Sequence, residues 1–178
     1  FSGAQFPNNK ENFGIFLDSM PDTWGRTLMK RKAAQQAREN GEKPETLYDI
    51  EYLLGVFDKT RMGALRFKTS LDGKFLDDDL DHSTPPWSSI RELQAAAKKL
   101  EDDEDVDVKK WLAILLAPGS SLGGARPKAN IEDENGDLWI AKFPSKNDAI
   151  DKAAWEFLAH QLALKSGIEM TNCKIQKI

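Results

Sequence analysis

The stretch Pro118-Gly119-Ser120-Ser121-Leu122-Gly123-Gly124-Ala125-Arg126-Pro127-Lys128 gathers small residues and closes on a lysine. Backbone N–H groups in such a loop can approach an anion closely, because few side chains stand in the way. Ser120 and Ser121 add hydroxyl donors, and Leu122, Gly123, Gly124 and Ala125 form the body of the loop. Downstream, Leu138-Trp139-Ile140-Ala141-Lys142-Phe143 reads as a strand. A period of two puts Leu138, Ile140 and Lys142 on one face and Trp139, Ala141 and Phe143 on the other. A lysine inside an apolar strand is costly to bury alone, so it has to reach an edge, a carboxylate or a phosphate. Glu156, on the helix expected next, is the carboxylate in range, and a Lys142–Glu156 pair would aim the ammonium group at phosphate oxygens. Each part also has an ordinary reading: a connection between helix and strand, an edge lysine that blocks aggregation, a solvated glutamate.

The elements that must position these residues are legible in outline. Ser19-Met20-Pro21-Asp22 reads as a helix start capped by Ser19, and the helix runs through WGRTLMKRKAAQQAREN to a stop at Gly41. Trp24 and Leu28 mark its apolar stripe, and Lys30, Arg31, Lys32 and Arg38 its solvated basic face. Thr46 and Asp49 suggest a cap for a short helix that buries Ile50, Leu53, Leu54 and Phe57. GALRFKTS alternates like a strand, with an Asp-Gly turn and KFL as its return. Residues 77–88 read as a linker. SSIRELQAAAKKL and VKKWLAILLA read as helices, the first burying Ile90, Leu93 and Leu100, the second ended by Pro118-Gly119. Asn135-Gly136 then predicts a tight hairpin. The next helix carries an inner stripe of Ile150, Ala154, Leu158 and Leu162 and stops at Gly167, and TNCKIQKI alternates as a last strand. The expected class is α+β: a small α/β subdomain over 1–86, then linking helices and a glycine loop, antiparallel hairpin, helix and strand over 87–178.

Composition narrows the function. The 178 residues carry a net charge of −4, with 40% hydrophobic and 30% charged residues, which suits a soluble globular chain and gives no overall attraction to nucleic acid or anionic membrane. No apolar run reaches the ~18 residues of a membrane span. One cysteine, Cys173, allows no internal disulfide and fits a reducing cytoplasm, and two histidines far from it make no zinc site. The opening Phe1 and the apolar tail suggest a piece of a larger protein.

The order glycine loop, hairpin, strand lysine, helix glutamate, strand is that of the amino-terminal lobe of a protein kinase. GSSLGGARPKA with LWIAKFPS, and FGIFLDSMPDTWGRTLMKR near the start, resemble the HipA family of toxin–antitoxin serine/threonine kinases; WEFLAHQLALKSGIEM is similar to the helix and exit that follow in that family. The resemblance implies ATP contacts from Ser120, Ser121, Leu122, Gly123, Gly124, Ala125, Lys128 and Lys142, with Glu156 orienting Lys142. It implies autophosphorylation at Ser121, and a structural role for Asp22, Trp24 and Gly25 where the amino-terminal subdomain packs on the lobe. It further implies ATP with Mg²⁺, a HipB-like DNA-binding antitoxin as partner, and an aminoacyl-tRNA synthetase as protein target. No catalytic aspartate or metal-binding carboxylate of the second kinase lobe is found in the sequence, so this portion is expected to bind ATP without transferring phosphate. The alternative is a non-catalytic module that docks an antitoxin or another protein.

Overall fold

The computed structural model describes residues 3–7, 9, 11–76, 84–102, 108–119 and 122–177. In chain order the elements are α1 (Gly14–Leu17), α2 (Thr23–Asn40), α3 (Asp49–Leu54), α4 (Ile90–Asp102), α5 (Val108–Gly119), β1 (Lys128–Glu132), β2 (Leu138–Lys142) and α6 (Lys152–Lys165). Single 3-10 turns lie at Asp58–Thr60 and Trp87–Ser89. The class is α+β, as expected, but among the described residues its only strands are the two of the hairpin.

Helix α2 starts one cap later than the sequence suggests. Ser19 is buried and its Oγ donates to Ile15 O at 3.1 Å, so it closes α1. Asp22 is the N-cap instead, accepting from Thr23 N–H at 2.7 Å. Gly41 ends the helix with φ 71°, a conformation suited to glycine. Helix α3 follows Tyr48, whose N–H donates to Glu51 Oε2 at 2.7 Å, so Thr46 is not its cap. Leu53 and Phe57 are buried, but Ile50 is 53% exposed, and Tyr52 and Val56 take the inner places. The helix is only six residues long and turns at Gly55, so the spacing of a longer helix does not carry on to Phe57. Arg61 braces the turn that follows, donating to Leu53 O at 2.5 Å and Val56 O at 2.9 Å.

GALRFKTS forms no strand. The Asp-Gly turn closes through Gly73 N–H to Ser70 O, and one backbone bond across the turn joins Leu76 N–H to Phe67 O at 2.7 Å. Phe75 is covered by the Arg66 guanidinium at 3.5 Å from its ring, so stacking replaces a ladder there. The described part of the amino-terminal segment is thus helical and looped, not α/β.

One core joins the two halves of the chain. Trp24 and Leu28 of α2 pack with Leu93, Ala96 and Leu100 of α4, Leu112 and Leu115 of α5, and Ala129 and Ile131 of β1. Helix α4 presents Leu93, Ala96, Ala97 and Leu100 at helical spacing, and Ile90 lies partly buried at its start. The hairpin has the expected turn: Gly136 sits at φ 84°, and Asp133 Oδ1 accepts from the N–H groups of Asn135 at 2.9 Å and Asp137 at 3.0 Å. Ala141 and Phe143 face the core, while Leu138 and Ile140 lie about half exposed on the other face. Residues 84–86 run beside the end of β1, with Glu132 N–H donating to Pro85 O at 2.9 Å.

Helix α6 ends as expected, with Gly167 at φ 78°, but it starts only at Lys152, behind Asp151, which accepts from Ala154 N–H at 2.9 Å, so Ile150 lies before it. Its expected inner stripe does not form. Ile150, Leu158 and Leu162 are 56%, 46% and 55% exposed, and no residue of α6 is buried. Apolar residues lie on every side of the helix, so periodicity names no face that must be covered. The tail is not a strand either. Thr171 O accepts from His160 Nε2 at 2.7 Å, and Lys174 Nζ stands 4.8 Å from the Trp139 ring and 5.1 Å from Trp87. Side-chain contacts hold the tail against the hairpin where a backbone ladder was expected. No helix of the described residues is long and apolar enough to cross a membrane.

The burial contrast predicts opposite outcomes for two leucine truncations. Leu115→Ala, at a fully buried site, should cost about 3 kcal/mol in denaturant unfolding. Leu162→Ala should stay within about 0.5 kcal/mol.

Candidate functional site

The glycine loop runs from the end of α5 to β1. Ser120 and Ser121 lie outside the described residues, so the loop is described from Leu122. Leu122 is buried and fixes its start, whereas Gly123, Gly124 and Ala125 are exposed. Its far end is clamped by Arg126, which reaches both oxygens of Asp148 at 2.7 Å, a bidentate pair, and also donates to Phe143 O at 3.3 Å. The Ser145 N–H, and after it Arg126, hold the Asp148 carboxyl below its ordinary range. Phe143 N–H donates to Pro127 O at 2.9 Å, which ties the loop exit to the end of β2.

The loop rests on the start of α2. Gly124 N–H donates to Asp22 Oδ2 at 2.8 Å, while the other oxygen of the same carboxylate caps the helix. Trp24 N–H donates to Gly124 O at 3.0 Å, and the buried Trp24 Nε1 donates to Lys128 O at 2.9 Å. Both backbone groups of Gly124 are therefore engaged by the amino-terminal segment. The two N–H bonds, Gly124 first and Thr23 next, hold the Asp22 carboxyl below its usual value.

Two lysines face each other across the hairpin. Lys128 and Lys142 are register partners in the antiparallel pair, so their side chains leave the same face of the sheet. Lys128 is 7% exposed, and its ammonium group donates to Gly123 O at 2.5 Å. A Cβ on Gly124, which has φ 80°, would stand 3.1 Å from that nitrogen. Glycine at 124 thus serves the backbone turn and the close approach of the ammonium group together. Burial, and then the charge of Lys142, push the Lys128 ammonium below its ordinary pKa; Asp22 opposes them. Lys142 pairs with Glu156 Oε1 at 2.6 Å, both side chains about half exposed.

The structure thus brings together Gly123, Gly124, Lys128, Lys142 and Glu156. Leu122 points into the core, so only its backbone is left for a ligand. Ala125 lies at the open side of the loop. Three cations, Lys128, Lys142 and Arg126, stand among three carboxylates, Asp22, Glu156 and the Asp148 that Arg126 already binds, so the two lysines carry the charge left open to a ligand. Like charges opposed across strands repel, and an anion seated between them would relieve the repulsion. Asp22 and Trp24 were legible as a motif, but not as contacts of the loop 102 and 104 residues away in sequence. The Arg126–Asp148 clamp carried no signal in the sequence. Among the described residues no group of three His, Cys, Asp or Glu could hold a metal ion.

Asp22 gives a pH signature. Its folded pKa lies below the unfolded one, so its contribution is complete above the ordinary value of 3.8 and is lost as pH falls through the folded value. Asp22→Ala should cost about 1 kcal/mol at neutral pH. In thermal unfolding the gap between variant and wild type should close on acidification below that value.

Against this geometry, residues 120–178 match the family model of the HipA-like C-terminal domain. No curated protein and no solved structure matches the chain. The match spans the glycine loop, the hairpin, α6 and the tail, and it is this carboxy-terminal third of the chain that is similar to the HipA-like C-terminal domain.

Proposed function

We propose that the chain carries the ATP-phosphate-binding part of a HipA-like serine/threonine protein kinase. The observation that carries this reading is the Lys142–Glu156 pair at 2.6 Å beside a buried Lys128 and a glycine loop, within a segment similar to the HipA-like domain. Lys142, held by Glu156, would meet phosphate oxygens from the strand side. Lys128 would exchange its bond to Gly123 O for a bond to phosphate, and the N–H groups of Gly123 and Ala125 would face the same anion from the loop. Ser121, with Ser120 beside it, is the proposed place of autophosphorylation. The triphosphate would supply the negative charge that the cross-strand lysines lack.

Mg²⁺ is the expected companion of ATP, but the described residues gather no carboxylate set for it. Phosphoryl transfer needs a base and metal-binding carboxylates, so the reading for these residues is binding and positioning; transfer to serine or threonine belongs to the proposal for the whole kinase. The same resemblance extends the proposal to a HipB-like antitoxin as partner and an aminoacyl-tRNA synthetase as target. A second reading, a docking module, is favoured by the exposed apolar side chains of α6, with Trp155 60% exposed.

Calorimetry with ATP separates the two. Lys142→Ala should weaken ATP binding at least about tenfold, the worth of a charge-assisted contact to phosphate, while unfolding without ATP stays unchanged. Equal ATP affinity in the variant, or no ATP binding by the wild type, contradicts the nucleotide reading.

A further inference from the structure

The amino-terminal segment does more than pack against the core. Asp22 divides its carboxylate between two tasks: Oδ1 caps α2 through Thr23 N–H at 2.7 Å, and Oδ2 takes Gly124 N–H at 2.8 Å. Two residues on, Trp24 holds the loop from behind through Gly124 O at 3.0 Å and Lys128 O at 2.9 Å. Trp24 is 5% exposed and sits in the shared core, so it is a rigid post. The three bonds bracket the loop at its left-handed residue, Gly124, and at the first residue of β1, Lys128. Between those brackets Lys128 Nζ reaches back to Gly123 O at 2.5 Å. A loop of glycines has many conformations available, and ordering it at the moment of binding would weaken binding. Here the ordering is done beforehand, by groups outside the loop.

We infer that Asp22 is a positioning residue of the anion site: its carboxylate, with Trp24 behind it, holds the glycine loop in the shape that turns Lys128 and the free loop N–H groups toward a phosphate. This rests on the reading of the loop as a phosphate site, and it adds that the start of α2 is part of that site although it touches no ligand. Asp22 also fills the one place where an anion would take Gly124 N–H, so the ligand is left to Gly123, Ala125 and the lysines. The site then discriminates by charge placed on the strand side and not by a full ring of loop amides.

The test separates the loop bond from the helix cap. Asp22→Asn keeps a cap oxygen for Thr23 N–H, because Asn caps as well as Asp, and replaces the oxygen that accepts from Gly124 with an N–H₂ group. Asp22→Ser also caps but cannot span to Gly124. Amide hydrogen exchange on the 178-residue chain should show Gly124 exchanging about tenfold faster or more in both variants, the worth of a bond to a charged acceptor, with α4 and α5 protected as in the wild type. ATP affinity by calorimetry should fall several-fold while the chain stays folded, its melting temperature lowered by no more than in Asp22→Ala. Unchanged Gly124 exchange in both variants overturns the inference. So does a freed loop that binds ATP as tightly as the wild type. Absence of ATP binding by the wild type itself would instead sink the nucleotide reading on which the inference rests, and is told apart by the exchange result.

Discussion

Lys128, a residue only 7% exposed, carries its ammonium group opposite a second lysine on the neighbouring strand. Burying a charge is costly unless it is paired, and like charges across a ladder add to that cost. The surrounding structure answers with a loop carbonyl from Gly123, the nearby charge of Asp22, and Glu156 to occupy Lys142. None of these is a carboxylate bonded directly to Lys128. That residual positive charge, beneath an exposed bend of small residues, is the physical reason to regard this end of the hairpin as a place for an anion.

The same residue links chemistry to fold. The backbone oxygen of Lys128 is the acceptor for Trp24, and Trp24 belongs to the core that unites α2, α4, α5 and the hairpin. The charge and the packing therefore share one anchor, and the start of α2 reaches the site through the core without lining it. The opposite side of the carboxy-terminal segment is unlike this. Helix α6 is attached through its cap, the Lys142–Glu156 pair and the His160–Thr171 contact, and it keeps its apolar side chains in the open.

What the sequence disclosed was local. Asn135-Gly136 fixed the hairpin because that pair needs little beyond itself, and Gly41 and Gly167 ended their helices for the same reason. The alternation grouped Trp139, Ala141 and Phe143 on one face, but only the packing shows that this face is the inner one. Where the outcome depended on a distant partner, pattern was not enough. The α6 stripe was drawn toward an inner surface, yet nothing described covers it. The alternating tail and GALRFKTS found no sheet edge to join. Ser19 resembled a cap, but Asp22 won because its two oxygens served Thr23 and Gly124 together. In the site, Lys142 and Glu156 were legible as a pair because strand and helix lie close in sequence. The Asp22 and Trp24 contacts were not, because more than a hundred residues separate them from the loop.

The most direct measurement is the titration of the Lys128 side chain by ¹³Cε NMR, without and with saturating ATP. The account predicts a pKa below the ordinary lysine value of 10.5 in the free chain, where burial and Lys142 disfavour the charge, and a rise when the triphosphate binds. A Lys128 that titrates at the ordinary value and does not respond to ATP would contradict it.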